Sequence, residues 1–166
     1  MDGPDLHPEK PVRMIYRDAG PPDAPGTDEA MPTGRLPVVV LHGSPGSADD
    51  FRTVMPVLAR TRRALALDLP GFGLTGPFAG QYAADDYRGD TYARFVLDVM
   101  DALKIERAVI GGNSLGGEIA WRAVTLAPQR FERLILVDAT GYALAPQSVP
   151  LGFRIAALPV VGRIAE

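Results

Sequence analysis

Cysteine is absent from the 166 residues. That excludes disulfides and thiolate metal sites and accords with a reducing compartment, so a cytoplasmic location is expected. Basic residues are not in excess: 17 Lys and Arg stand against 20 Asp and Glu, for a formal net charge of −3. Such a balance offers no footprint for nucleic acid or for an anionic membrane surface, so neither is expected as a partner. No apolar run reaches the length of a membrane span, and Met1-Asp2-Gly3-Pro4-Asp5-Leu6-His7-Pro8 carries neither the basic nor the apolar stretch of a signal peptide. Histidine is scarce too. The two present are His7 and His42, and none follows position 42.

What remains is ordinary: 46% apolar and 22% charged residues, the balance of a folded domain. Residues 12–17 read as a first strand or hairpin arm, and 19–37, rich in Gly and Pro, as a long exposed connector. Val38-Val39-Val40-Leu41 is an uninterrupted run of the kind buried on both faces of a mostly parallel sheet. It stops at His42-Gly43-Ser44-Pro45-Gly46. Residues 47–60 read as a helix, with Ser47 and Asp50 spaced as a capping box and Phe51, Val54, Met55 and Leu58 on one face. A strand over 63–69 opens into a Gly- and Pro-rich loop. Asp90 then reads as an N-cap before Tyr92, Phe95, Val96, Val99 and Leu103 at helical spacing, with Lys104 suited to the last turn. Leu134-Ile135-Leu136-Val137 reads as another buried-type strand. The alternation predicts an α/β fold with a mostly parallel sheet and flanking helices, built by residues 1–145, with 146–166, nearly all apolar from Val149 to Gly162, as the start of a lid.

The chain is organised around Gly112-Asn113-Ser114-Leu115-Gly116. An apolar strand, 107–110, runs into this Gly-rich corner, and a helical segment from Glu118 follows. Ser114 on so sharp a turn takes a strained backbone, and the glycines two residues away let neighbouring backbone pass without a Cβ clash. The turn lifts the Ser114 hydroxyl above the sheet edge. It also leaves the Leu115 N–H at a helix N-terminus, where orphan donors favour a developing oxyanion.

Four segments together resemble the α/β-hydrolase superfamily: His42-Gly43-Ser44-Pro45-Gly46, Asp68-Leu69-Pro70-Gly71-Phe72-Gly73, Gly112-Asn113-Ser114-Leu115-Gly116-Gly117 and Leu136-Val137-Asp138. The resemblance implies Ser114 as nucleophile and the backbone N–H groups of Ser44 and Leu115 as the oxyanion hole. It implies a structural role for His42, with Gly43 shaping that loop and Gly112, Asn113 and Gly116 shaping the elbow. Asn113 before the nucleophile resembles the esterases and the meta-cleavage-product hydrolases, which cut carbon–carbon bonds in ring-fission dienones. A serine nucleophile separates the chain from the haloalkane dehalogenases and epoxide hydrolases. No cofactor and no metal are implied, and the partner is a small-molecule substrate chosen largely by lid residues.

The family order is Ser, then Asp or Glu, then His. No histidine follows Ser114 here. Asp138 is either the acid, placed where a minority of the superfamily places it, or a structural residue. The chain therefore reads as the front portion of a longer enzyme, inactive or nearly so by itself. Its sheet would end on residues 134–137 with one open apolar edge, so self-association, or a need for the missing C-terminal segment, is expected.

Two function classes follow. One is a serine hydrolase for a small ester, with carbon–carbon hydrolysis or cofactor-free perhydrolysis as variants. The other is a non-catalytic module binding a small apolar ligand between sheet and lid. Gly71-Phe72-Gly73-Leu74-Thr75-Gly76 satisfies G-x-G-x-x-G, but Pro77 and more loop follow where a dinucleotide site needs a helix. Asp85-Asp86 lacks the further ligands of a metal site and reads as a solvated loop. Trp121 and Phe131 read as core or lid contacts.

Overall fold

The computed structural model describes residues 14–21, 35–80, 82 and 86–141. His7, Asp85, most of the expected connector and the expected lid, 146–166, lie outside them. The elements in order are β1 (Tyr16–Ala19), β2 (Val38–Leu41), a 3₁₀ turn (Ala48–Phe51), α1 (Met55–Leu58), β3 (Ala64–Leu67), α2 (Gly89–Ala102), β4 (Ala108–Asn113), α3 (Leu115–Leu126), a second 3₁₀ turn (Pro128–Arg130) and β5 (Phe131–Val137).

The five strands form one sheet in the order β1-β3-β2-β4-β5, parallel except for β1. β2 and β3 are buried at every position, as their apolar runs demand of strands covered on both faces. Alternate residues feed two cores. Val39, Leu41, Leu65, Leu67 and Ile110 pack with Phe95, Val96, Val99 and Met100 of α2 and Ile119, Ala120 and Ala123 of α3. Val38, Val40, Ala64, Ala66 and Val109 pack on the other face with Ala48 and Met55. Gly116, Gly117, Ala120 and Ala123 are all buried, the small residues letting α3 lie close to the sheet.

Three local expectations are corrected. Residues 47–60 are not one helix. The capping box at Ser47 and Asp50 forms, but the bonds that follow it, Arg52 N–H to Asp49 O and Val54 N–H to Phe51 O, have the tighter i→i−3 spacing. α1 restarts with Pro56 near its beginning, where a missing N–H does no harm.

Asp90 is not the cap of α2. Arg88 holds that position, and Asp90 lies in the first turn, paired with Arg122 of α3 at 2.7 Å. At the other end Lys104 falls just past the helix at φ 53, and the Ile105 N–H returns to Met100 O at 2.8 Å, a left-handed stop usually left to glycine.

The third correction concerns β5. Leu134, Ile135, Leu136 and Val137 are 37%, 52%, 39% and 50% exposed. The strand pairs only with β4, and nothing among the described residues covers its outer edge. Phe131, at its start, is buried as expected.

The loop after β3 is held by Phe78, whose ring stands 4.9 Å from Tyr92 and 5.7 Å from Phe95 of α2. Asp86 is paired with Arg88 at 2.7 Å. No helix among the described residues is long and apolar enough to cross a membrane.

Candidate active site

β4 ends at Asn113 and α3 starts at Leu115, so Ser114 alone makes the turn. Its backbone sits at φ 50, ψ −116, a conformation that costs a non-glycine residue roughly 1–3 kcal/mol. The surroundings hold it there. The Ser114 N–H donates to Val137 O at 3.0 Å, and Ser114 O accepts from the N–H groups of Glu118 and Thr140, each at 3.1 Å. Glycine is required beside it: a Cβ on Gly112 would overlap the Gly116 carbonyl and stand 2.6 Å from Gly117 N. Ser114 itself is partly exposed.

β2 runs parallel to β4 with Leu41 opposite Gly112, so the loop after β2 emerges beside the elbow. A Cβ on Gly43 would stand 3.2 Å from the Ser114 Cβ and 2.9 Å from Asn113 Oδ1. Ser44, the next residue, is exposed. His42, before it, is fully buried. The Leu69 N–H can only donate, and it meets His42 Nε2 at 3.0 Å, so the proton lies on Nδ1, which donates to Gly43 O at 2.7 Å. Both ring nitrogens are thus engaged by backbone, one in its own loop and one after β3, and Phe72 closes over the ring edge-on at 5.4 Å. In a trans peptide the carbonyl and the next N–H point opposite ways. Pinning Gly43 O to the imidazole therefore aims the Ser44 N–H away from it.

Asp68 carries a role that spacing alone did not suggest. It is buried, and its carboxylate accepts from Ala48 N–H at 2.6 Å and Leu74 N–H at 2.8 Å. It therefore ties the segment after the His42 loop to the loop after β3. Gly73, at φ 55, lies so close that a Cβ there would overlap the Asp68 carboxylate. The signal available was a charged residue at the end of an apolar run.

The structure thus brings His42, Gly43, Ser44, Gly112, Asn113, Ser114, Leu115 and Gly116 together at one end of the sheet. Asp138 follows β5 at that same end, exposed and at φ 45. Trp121 is an edge contact of this region, its Nε1 donating to Thr140 O at 3.1 Å, with the Arg122 guanidinium 4.7 Å from its ring. The bond to Asp90, and then that to Glu118, raises the Arg122 pKa above its ordinary value. Among the described residues no cluster of His, Cys, Asp or Glu is suited to hold a metal ion. A concavity of about 550 Å³ lined by Asp101, Lys104, Ile105, Glu106 and Arg130 lies by the start of β4, away from the elbow.

Comparison with known proteins identifies the fold family. Residues 37–159 match the family model for the alpha/beta hydrolase fold. A 2-hydroxymuconate semialdehyde hydrolase from a Pseudomonas species is 39% identical over 109 residues, covering 64% of this chain and 37% of that protein. A 2-hydroxy-6-oxo-2,4-heptadienoate hydrolase from Pseudomonas putida is 38% identical, over 63% of this chain and 38% of its own length. Among solved structures, the meta-cleavage product hydrolase of Pseudomonas fluorescens superposes with a TM-score of 0.63 at 28% identity, over 80% of this chain and 44% of that one. The chain thus spans well under half the length of the curated relatives it matches. With a serine on the strand-to-helix corner, a glycine loop beside it and the family model matched from β2 through β5, this chain belongs to the α/β hydrolase family.

Proposed function

We propose that the chain carries the nucleophile and oxyanion side of a serine hydrolase acting on a small ester or related carbonyl compound. The observation that supports this best is the strained backbone of Ser114 with Gly43 packed against it. In this reading Ser114 Oγ attacks the carbonyl carbon. The carbonyl π electrons move onto the oxygen, the Leu115 and Ser44 N–H groups donate hydrogen bonds to that oxyanion, and loss of either donor lowers turnover about 10²–10³-fold. The serine proton needs a base. His42 is not that base, because its Nδ1–H and Nε2 are both spent on Gly43 and Leu69. Asp138 stands as a candidate acid, and turnover by the 166 residues alone is expected to be slight. No cofactor enters the scheme.

Cleavage of a carbon–carbon bond is the second reading, favoured by the names of the two curated relatives given above. Labelling of the complete gene product with a fluorophosphonate, with Ser114→Ala as control, tests the nucleophile. A Ser114-dependent adduct supports the hydrolase. Its absence favours a non-catalytic module that binds a small apolar ligand. Comparing turnover of a p-nitrophenyl ester with decay of a ring-fission dienone then separates the two hydrolase readings.

A further inference from the structure

The four residues after β5, Asp138-Ala139-Thr140-Gly141, turn back over the first turns of α3. Asp138 and Gly141 take left-handed backbone at the two ends of the turn, φ 45 and φ 89. Between them Ala139 presses on Gly117, where a Cβ would stand 2.6 Å from its own. Thr140 makes three bonds to the elbow helix. Its N–H donates to Ser114 O at 3.1 Å, its hydroxyl donates to Glu118 Oε2 at 3.0 Å, and its carbonyl accepts from Trp121 Nε1 at 3.1 Å. The other oxygen of Glu118 takes Arg122 Nε at 2.9 Å, and Arg122 reaches on to Asp90 of α2 at 2.7 Å.

The peptide gripped in this way is the one that presents the Leu115 N–H. Fixing Ser114 O fixes the plane of the Ser114–Leu115 peptide, and the amide proton points the opposite way. An α-helix alone supplies one such bond, from Glu118; Thr140 adds a second from outside the helix. It does so at a residue whose backbone stays strained only because its neighbours hold it there.

We propose that Thr140, held by Glu118 and Arg122, is a positioning residue for the Leu115 amide of the oxyanion hole. The inference rests on the hydrolase reading above. Thr140 touches no reacting atom; it acts through the orientation of one peptide.

The test uses the complete gene product. Thr140→Val keeps the shape and removes the hydroxyl, Glu118→Ala removes its acceptor, and Thr140→Ser restores the hydroxyl. The maximal rate of Ser114 phosphonylation by a fluorophosphonate, kinact, falls about tenfold in the first two variants while the probe's KI stays within about twofold, and Thr140→Ser recovers the rate. Amide exchange over residues 112–118, read by mass spectrometry, quickens in the same two variants and not in Thr140→Ser, whether or not the probe reacts. A wild-type protein that takes no probe ends the hydrolase reading, and exchange then decides the positioning claim alone. Folded variants with unaltered kinact, or with unaltered exchange across 112–118, overturn the proposal.

Discussion

Gly116 lies against the last peptide of β2: a Cβ on it would overlap the Leu41 carbonyl oxygen and stand 2.5 Å from that of His42. Both neighbours are backbone and cannot step aside as a flexible side chain would. Gly116→Ala is therefore expected to destabilise the fold by about 1–3 kcal/mol, the range for overpacking a core. Gly112→Ala behaves alike, since its Cβ would meet the Gly116 carbonyl. Gly76 has nothing within 4 Å, so Gly76→Ala stays within about 0.5 kcal/mol of the parent. Urea unfolding of the three variants checks the contrast; equal losses would sink it.

Ser114 stores strain that glycine would not. At φ 50, ψ −116 a residue without Cβ is unstrained, so Ser114→Gly is expected to raise stability by about 1 kcal/mol while abolishing labelling by a fluorophosphonate. A melting temperature no higher than the parent's would show that the turn holds no such strain.

Tyr92 makes stability depend on alkaline pH. Its phenol is buried, and burial, with a smaller effect of Tyr87, pushes its pKa upward. The unfolded phenol ionises near pH 10, whereas the folded one resists ionisation. The contribution is thus fully present below about pH 10 and is lost as pH rises beyond it. Tyr92→Phe gives up the hydroxyl's 2.8 Å bond to Pro70 O, about 1 kcal/mol at neutral pH, but flattens the alkaline decline. Chemical unfolding at pH 8 and at pH 10.5 measures both; an unchanged alkaline slope would refute the linkage.

The open edge of β5 predicts association. Ile135 and Val137 are half exposed on a strand with one neighbour among the described residues, and flat apolar edges pair with other chains. The 166-residue polypeptide is expected to self-associate with rising concentration, and Ile135→Lys to suppress this. Sedimentation velocity distinguishes the outcomes. A monodisperse parent that melts cooperatively as a monomer would contradict the expectation.

Much of the fold was legible because the signals are local. Val38–Leu41 and Ala64–Leu67 are short apolar runs between breakers, and they emerge as strands buried at every position. The corner at Ser114 was legible from its context: the G-x-S-x-G pattern is weak by itself, but an apolar strand before it and a helix after it demand a sharp turn at the serine. The break within 47–60 was not, because an apolar face at helical spacing also fits a 3₁₀ turn followed by a short helix. Nor was the place of Asp90, which is drawn to an arginine 32 residues away rather than to the helix end beside it.

The strand–corner–helix order, the residue on the corner and the glycines flanking it are written in the order of residues alone, since each follows from backbone sterics within a few positions. Folding in three dimensions was needed to show that Gly43 abuts Ser114, that His42 spends both nitrogens on backbone, that Asp68 ties two loops and that Thr140 grips the Ser114 carbonyl. These are contacts between segments brought together by sheet pairing, and no local periodicity carries their partners.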